Sequence, residues 1–266
     1  MSEAPPRQWR RYSPRETVLR LFVWLCIAAA TAQALRTIEI IPEFLVDAPA
    51  QMHDMAVRMW PIDWPFYWHG VHRALVETLH IATLGTLLAV LLALPFALLA
   101  ARNITPWRSL NFFARVVLAA SRSVNSLVWA LLFVAVFGPG AAAGTLAIAF
   151  RSIGFLGRMA GDALEQMPRG PVEALQAAGA ARGAQLYYGY WPQLKPSLLS
   201  IALLRWDINV RESAVLGLVG AGGVGMALDT ALNQFQWPRV ALVLACVFAV
   251  VVAIELGVTL LRRRLL

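Results

Sequence analysis

Polar and apolar residues fall into blocks along this chain, and the apolar blocks are long. About 20 apolar residues carry a helix across a bilayer. Four runs meet that length: "VLRLFVWLCIAAATAQAL" (18–35), "TLHIATLGTLLAVLLALPFALLAA" (78–101), "VVLAASRSVNSLVWALLFVAVF" (116–137) and "RVALVLACVFAVVVAIELGVTLL" (239–261). Two further runs are interrupted by charge. "GTLAIAFRSIGFLGRMAG" (144–161) holds Arg151 and Arg158, and "SLLSIALLRWDINVRESAVLGLV" (197–219) holds Arg205, Asp207, Arg211 and Glu212. The pattern predicts an all-α polytopic membrane protein with about six transmembrane helices.

Between the first two runs the period changes. Met52, Met55, Ala56 and Met59 recur at helical spacing, which predicts a short helix on the outer membrane surface. Trp60, Trp64, Tyr67 and Trp68 then mark the membrane interface ahead of the second span. The basic start, the first apolar run and "ATAQA" have the outline of a cleaved signal. The length of that run and Arg20 within it favour an uncleaved first span.

Composition agrees with the blocks. Of 266 residues, 59% are hydrophobic and only 14% charged, too few charges to cover a water-facing surface. The net charge of +8 is almost wholly arginine, Lys195 being the only lysine. With the N-terminus inside, the inner segments are 1–17, 102–115, 162–196 and 262–266. Each carries basic residues, whereas the outer segment 36–73 carries five acids against Arg36, Arg58 and Arg73. That asymmetry obeys the positive-inside rule and places both termini in the cytoplasm. The arginines do not interleave with stacking aromatics in a water-facing groove, so nucleic acid is excluded as a partner. Cys26 and Cys246 lie in apolar runs and read as buried hydrophobes. His69, His72 and His80 sit among interfacial aromatics without the ligands a metal site needs, so no metal is expected.

Gly220, Gly222 and Gly225 spell G-x-G-x-x-G within "GLVGAGGVG" (217–225). A dinucleotide site needs these glycines between a strand and a helix, with an acid about 20 residues on. Here they follow a membrane span, and no acid lies between Thr230 and Ile254. Gly220, Gly222, Gly223 and Gly225 instead read as the outer connection between the fifth and sixth spans, where small residues allow close backbone approach.

The segment 161–196, "GDALEQMPRGPVEALQAAGAARGAQLYYGYWPQLKP", predicts two short helices. Pro171 and Glu173 suit a first turn, Gly179 permits the turn between helices, and Pro192 and Pro196 stop the second stretch. Its residues fit an ordinary amphipathic loop and a docking element equally. Glu173-Ala174, Gly179 and Pro192 match the spacing of the E-A-A loop of bacterial ABC importer permeases, with Leu175, Gly189 and Trp191 as departures. "VEALQAAGA", "YGYWPQLKP", "INVRESAVLGLVGAGGVG" and "FGPGAAAGTLAIAFRSIG" resemble the phosphonate permease (PhnE-type) branch, over about residue 74 to the C-terminus.

That resemblance implies the type I ABC importer permease fold in a bacterial cytoplasmic (inner) membrane. Residues 1–73 would form an N-terminal tail, first helix and outer segment. Residues 74–266 would form the transmembrane core, with a coupling loop at 161–196. It further implies a non-catalytic subunit without a cofactor of its own. A second permease copy would complete a homodimer, two ATPase subunits would bind ATP and Mg, and a periplasmic or surface phosphonate-binding protein would deliver substrate. Glu173, Ala174, Gly179 and Pro192 would meet the ATPase.

Charges inside a membrane cost about 2.5–3.5 kcal/mol each on insertion scales and so face protein or water. Asp207 and Arg211 are four apart, as are Arg205 and Asn209, and Arg205 and Glu212 share a face after two turns. Two readings stand: structural ion pairs, or an anion path formed by these residues with Arg122, Asn125 and Arg151. The function expected is a permease importing phosphonates or a related phosphorus oxyanion such as phosphite. The alternatives are a permease for another solute such as methionine, a membrane-bound dinucleotide-dependent oxidoreductase, or an anchor for a soluble enzyme.

Overall fold

A computed structural model describes residues 12–38 and 42–265. Among them every regular element is helical. The chain divides into two compact units, one ending at Asp54 and one beginning at Met55.

In the first unit, α1 (Pro14–Thr37) opens with a capping box. Ser13 Oγ accepts from the Glu16 N–H at 3.3 Å, and Glu16 Oε2 accepts from the Ser13 N–H at 2.9 Å. This helix is long and apolar enough to cross a membrane, and none of its apolar stretch is buried within the fold. α2 (Pro42–Arg58) contains Met52, Met55 and Ala56 and runs on into the second unit.

The second unit is built around α3 (His72–Ala100) and α6 (Ala141–Gln166), which share its largest interface. Their facing stripes are small: Ala82, Gly85, Ala89, Ala93 and Ala97 on α3, and Ala143, Gly144 and Ala147 on α6 are buried, while Gly154 and Gly157 of α6 face Leu118 instead. In lipid no hydrophobic force drives helices together. Close van der Waals approach across small residues supplies the attraction instead. A Cβ on Gly85 would come within 2.7 Å of Ile148 Cγ2, so the approach needs glycine there.

Among the described residues, three uninterrupted helical stretches are long and apolar enough to span: α1, the stretch Tyr67–Ala100 that contains α3, and α11 (Trp237–Leu265). The third expected span is not one helix. It divides into α4 (Arg108–Ser123) and α5 (Ser126–Phe137), bent by 87°. Val124 is extended at the break, and Asn125 caps α5, its Oδ1 accepting the Leu127 N–H at 3.2 Å. Neither piece, at about 24 and 18 Å, matches the ~30 Å hydrocarbon core alone. α4 also starts at Arg108, inside the segment 102–115 expected to be an inner loop.

The loop prolines correct a second expectation. After α7 (Gly170–Ala177) and the single turn α8 (Arg182–Ala184), the chain stays helical through a widened turn at Gln185–Tyr190 into α9 (Trp191–Leu216). Pro192 and Pro196 lie within that stretch and do not end it. Pro192 occupies the first turn of α9, where helix bonding requires no N–H. The widened turn is closed by the Trp191 N–H on Leu186 O, one residue further back than an α-turn reaches. α9 and the short α10 (Val224–Asn233) form a second bent pair, at 40°.

Candidate functional site

A cleft of about 420 Å³ opens where α5, α6 and α9 meet. Its polar lining is Asn125, Ser126, Arg151, Arg211 and Glu212. Arg151 Nη1 donates to Asn125 Oδ1 at 3.2 Å and to Ser126 Oγ at 3.1 Å, and lies 3.7 Å from Glu212 Oε1. The break between α4 and α5 therefore positions Arg151, because it exposes the cap of α5 to the arginine from α6.

Glu212 carries two cations. Its other oxygen, Oε2, accepts from Arg205 Nη2 at 3.3 Å. Arg205 is buried, and its Nε donates to Ser152 Oγ at 2.9 Å. Ser152 continues to Asn209 Oδ1 at 3.2 Å, and Asn209 Nδ2 donates to Thr86 Oγ1 at 2.8 Å. This chain of bonds joins α9, α6 and α3 through their buried centres. Arg205 and Asn209, four apart, meet only through Ser152.

Arg211 Nη2 pairs with Asp207 Oδ2, and Glu255 of α11 approaches it to 4.0 Å. The Arg211 side chain remains 47% exposed and lines the cleft, whereas Asp207 is buried with its Oδ1 unpaired. The expected residues thus separate. Arg151, Arg211, Asn125 and Glu212 face the cleft, and Arg205, Asp207 and Asn209 lie within the helix packing. Arg122 is exposed near the end of α4, outside the cleft lining, and has no ion pair among the described residues. The sequence reading missed Ser126, Ser152, Thr86 and Glu255. Their only signal was polarity in apolar surroundings.

The glycine connection packs tightly against the ends of α3 and α6. Gly220, Gly222 and Gly223 have φ of +83°, +86° and +73°, values that favour glycine. The Gly140 N–H donates to Gly220 O at 2.9 Å. At the start of α10, Glu77 Oε1 accepts the Gly223 N–H at 3.3 Å and Thr78 Oγ1 accepts the Val224 N–H at 2.8 Å. A carboxylate already occupies the place where a dinucleotide phosphate would have to sit. A helix, not a strand, precedes these glycines.

In the 161–196 segment, Gly179 has φ +74° and ends α7 as a left-handed cap, with the Ala180 N–H bonded to Leu175 O at 3.0 Å. Glu173, Ala174, Gly179 and Pro192 are all exposed. Val172 is buried against the widened turn at Gly189. A Cβ on Gly189 would lie 3.0 Å from Val172 Cγ2 and 3.3 Å from Leu175 Cδ1, so the departure at Gly189 lets the two helical pieces close on each other.

Residues 93–266 match the family model described as the binding-protein-dependent transport system inner membrane component. The chain is 40% identical over 240 residues to the phosphate-import permease protein PhnE of Mycolicibacterium smegmatis, covering 89% of this chain and 44% of that protein. It is 41% identical over 179 residues to the putative phosphite transport system permease protein HtxC of Stutzerimonas stutzeri, covering 67% of this chain and 64% of that protein. The chain therefore spans less than two thirds of the length of both relatives. An inward-facing structure of the MetNI methionine ABC transporter superposes with a TM-score of 0.65 at 21% identity, covering 77% of this chain and all of the matched one. The apolar helices, the bent pairs and the match over 93–266 converge on a multi-pass membrane protein. The chain belongs to the family of binding-protein-dependent transport system inner membrane components.

Proposed function

We propose that this chain is the non-catalytic permease subunit of an ATP-driven importer of phosphorus oxyanions, phosphonate or phosphite, with the α5–α6–α9 cleft on its translocation path. The observation that carries this reading is the pair of arginines lining that cleft, Arg151 and Arg211. A phosphonate or phosphite presents a tetrahedral anionic head, and guanidinium forks hydrogen-bond such heads well. The names of the phosphate and phosphite relatives point to the same class of solute.

Each arginine is already paired with a carboxylate, Arg151 with Glu212 and Arg211 with Asp207. An incoming anion exchanges with those carboxylates and does not meet a bare charge. Binding is correspondingly weak, as a pathway that must release its cargo requires. Arg205 takes no part in this exchange, because Ser152 and Glu212 hold its guanidinium within the packing.

Energy comes from outside the chain. Two ATPase subunits bind ATP and Mg and engage the exposed Glu173–Gly179 element on the cytoplasmic side. A second permease copy completes the path, and a binding protein delivers substrate from the periplasm or outer surface. Both termini lie in the cytoplasm. Nucleotide-driven closure of the ATPases moves α7 and, through its contact with Gly189, the continuous stretch Arg182–Leu216 that carries Arg205 and Arg211. That rigid connection supplies the two-state element alternating access requires.

Arg211→Gln tests the path. Uptake by the reconstituted complex should fall to background while the subunits still co-purify. Unchanged uptake would remove Arg211 from the path.

A further inference from the structure

A second polar cavity, of about 590 Å³, lies apart from the cleft and is lined by Arg102, Thr105, Pro106, Arg108, Asn111 and Phe112. Arg102, Thr105 and Pro106 also line the neighbouring cavity beside Gln176 and Arg182, which sets this site at the α7 end of the fold. Its charge is one-sided. Glu165 Oε1 accepts from Arg115 Nη2 at 2.6 Å and from the Arg102 N–H at 2.8 Å. The Asn111 amide and the Thr105 hydroxyl are turned to the carbonyls of Ala100 and Leu98. The guanidiniums of Arg102 and Arg108 are exposed and have no acidic partner among the described residues.

The wall below the arginines is apolar. Phe112 follows Arg108 by one turn on the same face of α4 and is 71% exposed, and Trp107 at the start of α4 is 69% exposed. A free oxyanion would leave those rings without a partner. An amphiphile satisfies both parts, its phosphate between the arginines and its chains along Phe112, with the indole at headgroup depth.

We propose that Arg102 and Arg108 form a binding site for the phosphate of an anionic phospholipid in the leaflet on the α7 side. The arginines supply charge, Phe112 supplies apolar contact, and the site needs no rearrangement of existing ion pairs.

The test is native mass spectrometry of the purified full chain titrated with phosphatidylglycerol or phosphatidylcholine. Phosphatidylglycerol should bind the more tightly, and Arg102→Gln with Arg108→Gln should weaken it about 25-fold, near 5-fold per arginine. Arg108→Lys should keep most of the affinity, and Arg169→Gln, an exposed charge outside the cavity, should keep all of it. In the unmutated chain, brominated phosphatidylglycerol should quench Trp107 more than brominated phosphatidylcholine does, the quenched fraction being assigned with Trp107→Phe. Equal retention of both lipids, or an equal loss in Arg169→Gln, would overturn the proposal. So would displacement of the lipid by millimolar inorganic phosphate, which would mark a free-anion site. Loss of ATPase co-purification in the double variant with lipid retention unchanged would mark a protein contact instead.

Discussion

Arg205 Nε donates to Ser152 Oγ at 2.9 Å, tying α9 to α6 across 53 positions of sequence. The bond decides what Arg205 is for. A guanidinium held by a buried hydroxyl and by Glu212 is a structural clasp, and it leaves Arg151 and Arg211 as the arginines that face the cleft.

Removing the clasp should therefore cost stability. Arg205→Leu strands half of Glu212 and leaves the Ser152 hydroxyl its bond to Asn209, and breaking a buried ion pair costs about 3–5 kcal/mol. Arg151 still partners Glu212, so the lower end of that range is expected. Ser152→Ala should cost about 1 kcal/mol. Unfolding of the purified chain in mixed micelles reads both values, and an unchanged midpoint for Arg205→Leu would refute the clasp.

The glycines of α6 and α11 should respond in opposite directions. A Cβ on Gly144 would overlap the backbone oxygen of Ala221, and backbone cannot swing aside as a side chain can. Gly144→Ala should destabilise by about 1–3 kcal/mol. Gly257, on α11, has open space around the same position, and there alanine should be neutral or stabilise by up to about 1 kcal/mol. Thermal unfolding of the two variants side by side checks the contrast.

How much of this was legible in the sequence depends on distance along the chain. All six apolar runs fall on helix, although the third is split between α4 and α5, and spacings of four and seven identified the Asp207–Arg211 and Arg205–Glu212 pairs. Gly179 was readable as a turn because its neighbours are good helix formers. The break at Val124–Asn125 was hidden by a run apolar on both sides of it, although Asn125 is a good cap residue. Ser152 was invisible because its partners lie 53 and 57 residues away and no local rule connects them. Pro192 and Pro196 misled because a widened turn upstream and a first-turn position let helix pass through them. The small-residue stripes of α3 and α6 were present in the sequence, but only the fold shows that they face each other within one chain.

The loop gives a prediction of its own. The isoleucine side chain of Gly189→Ile would drive into Val172 and Leu175. α7 should then separate from the widened turn, and ATP hydrolysis in the assembled complex should no longer respond to substrate. Substrate-stimulated ATPase activity measures this. Full stimulation in the variant would show that the α7–Gly189 contact does not carry the coupling.

ATP-dependent uptake into proteoliposomes, with the chain reconstituted beside the proposed ATPase and binding-protein subunits, is the measurement to make first. Labelled 2-aminoethylphosphonate, phosphite and methionine would be compared, with and without Glu173→Lys combined with Gly179→Pro. Phosphonate or phosphite should be taken up, methionine should not, and the loop variant should lose transport. Methionine uptake, or transport that survives the loop variant, would contradict the proposed function.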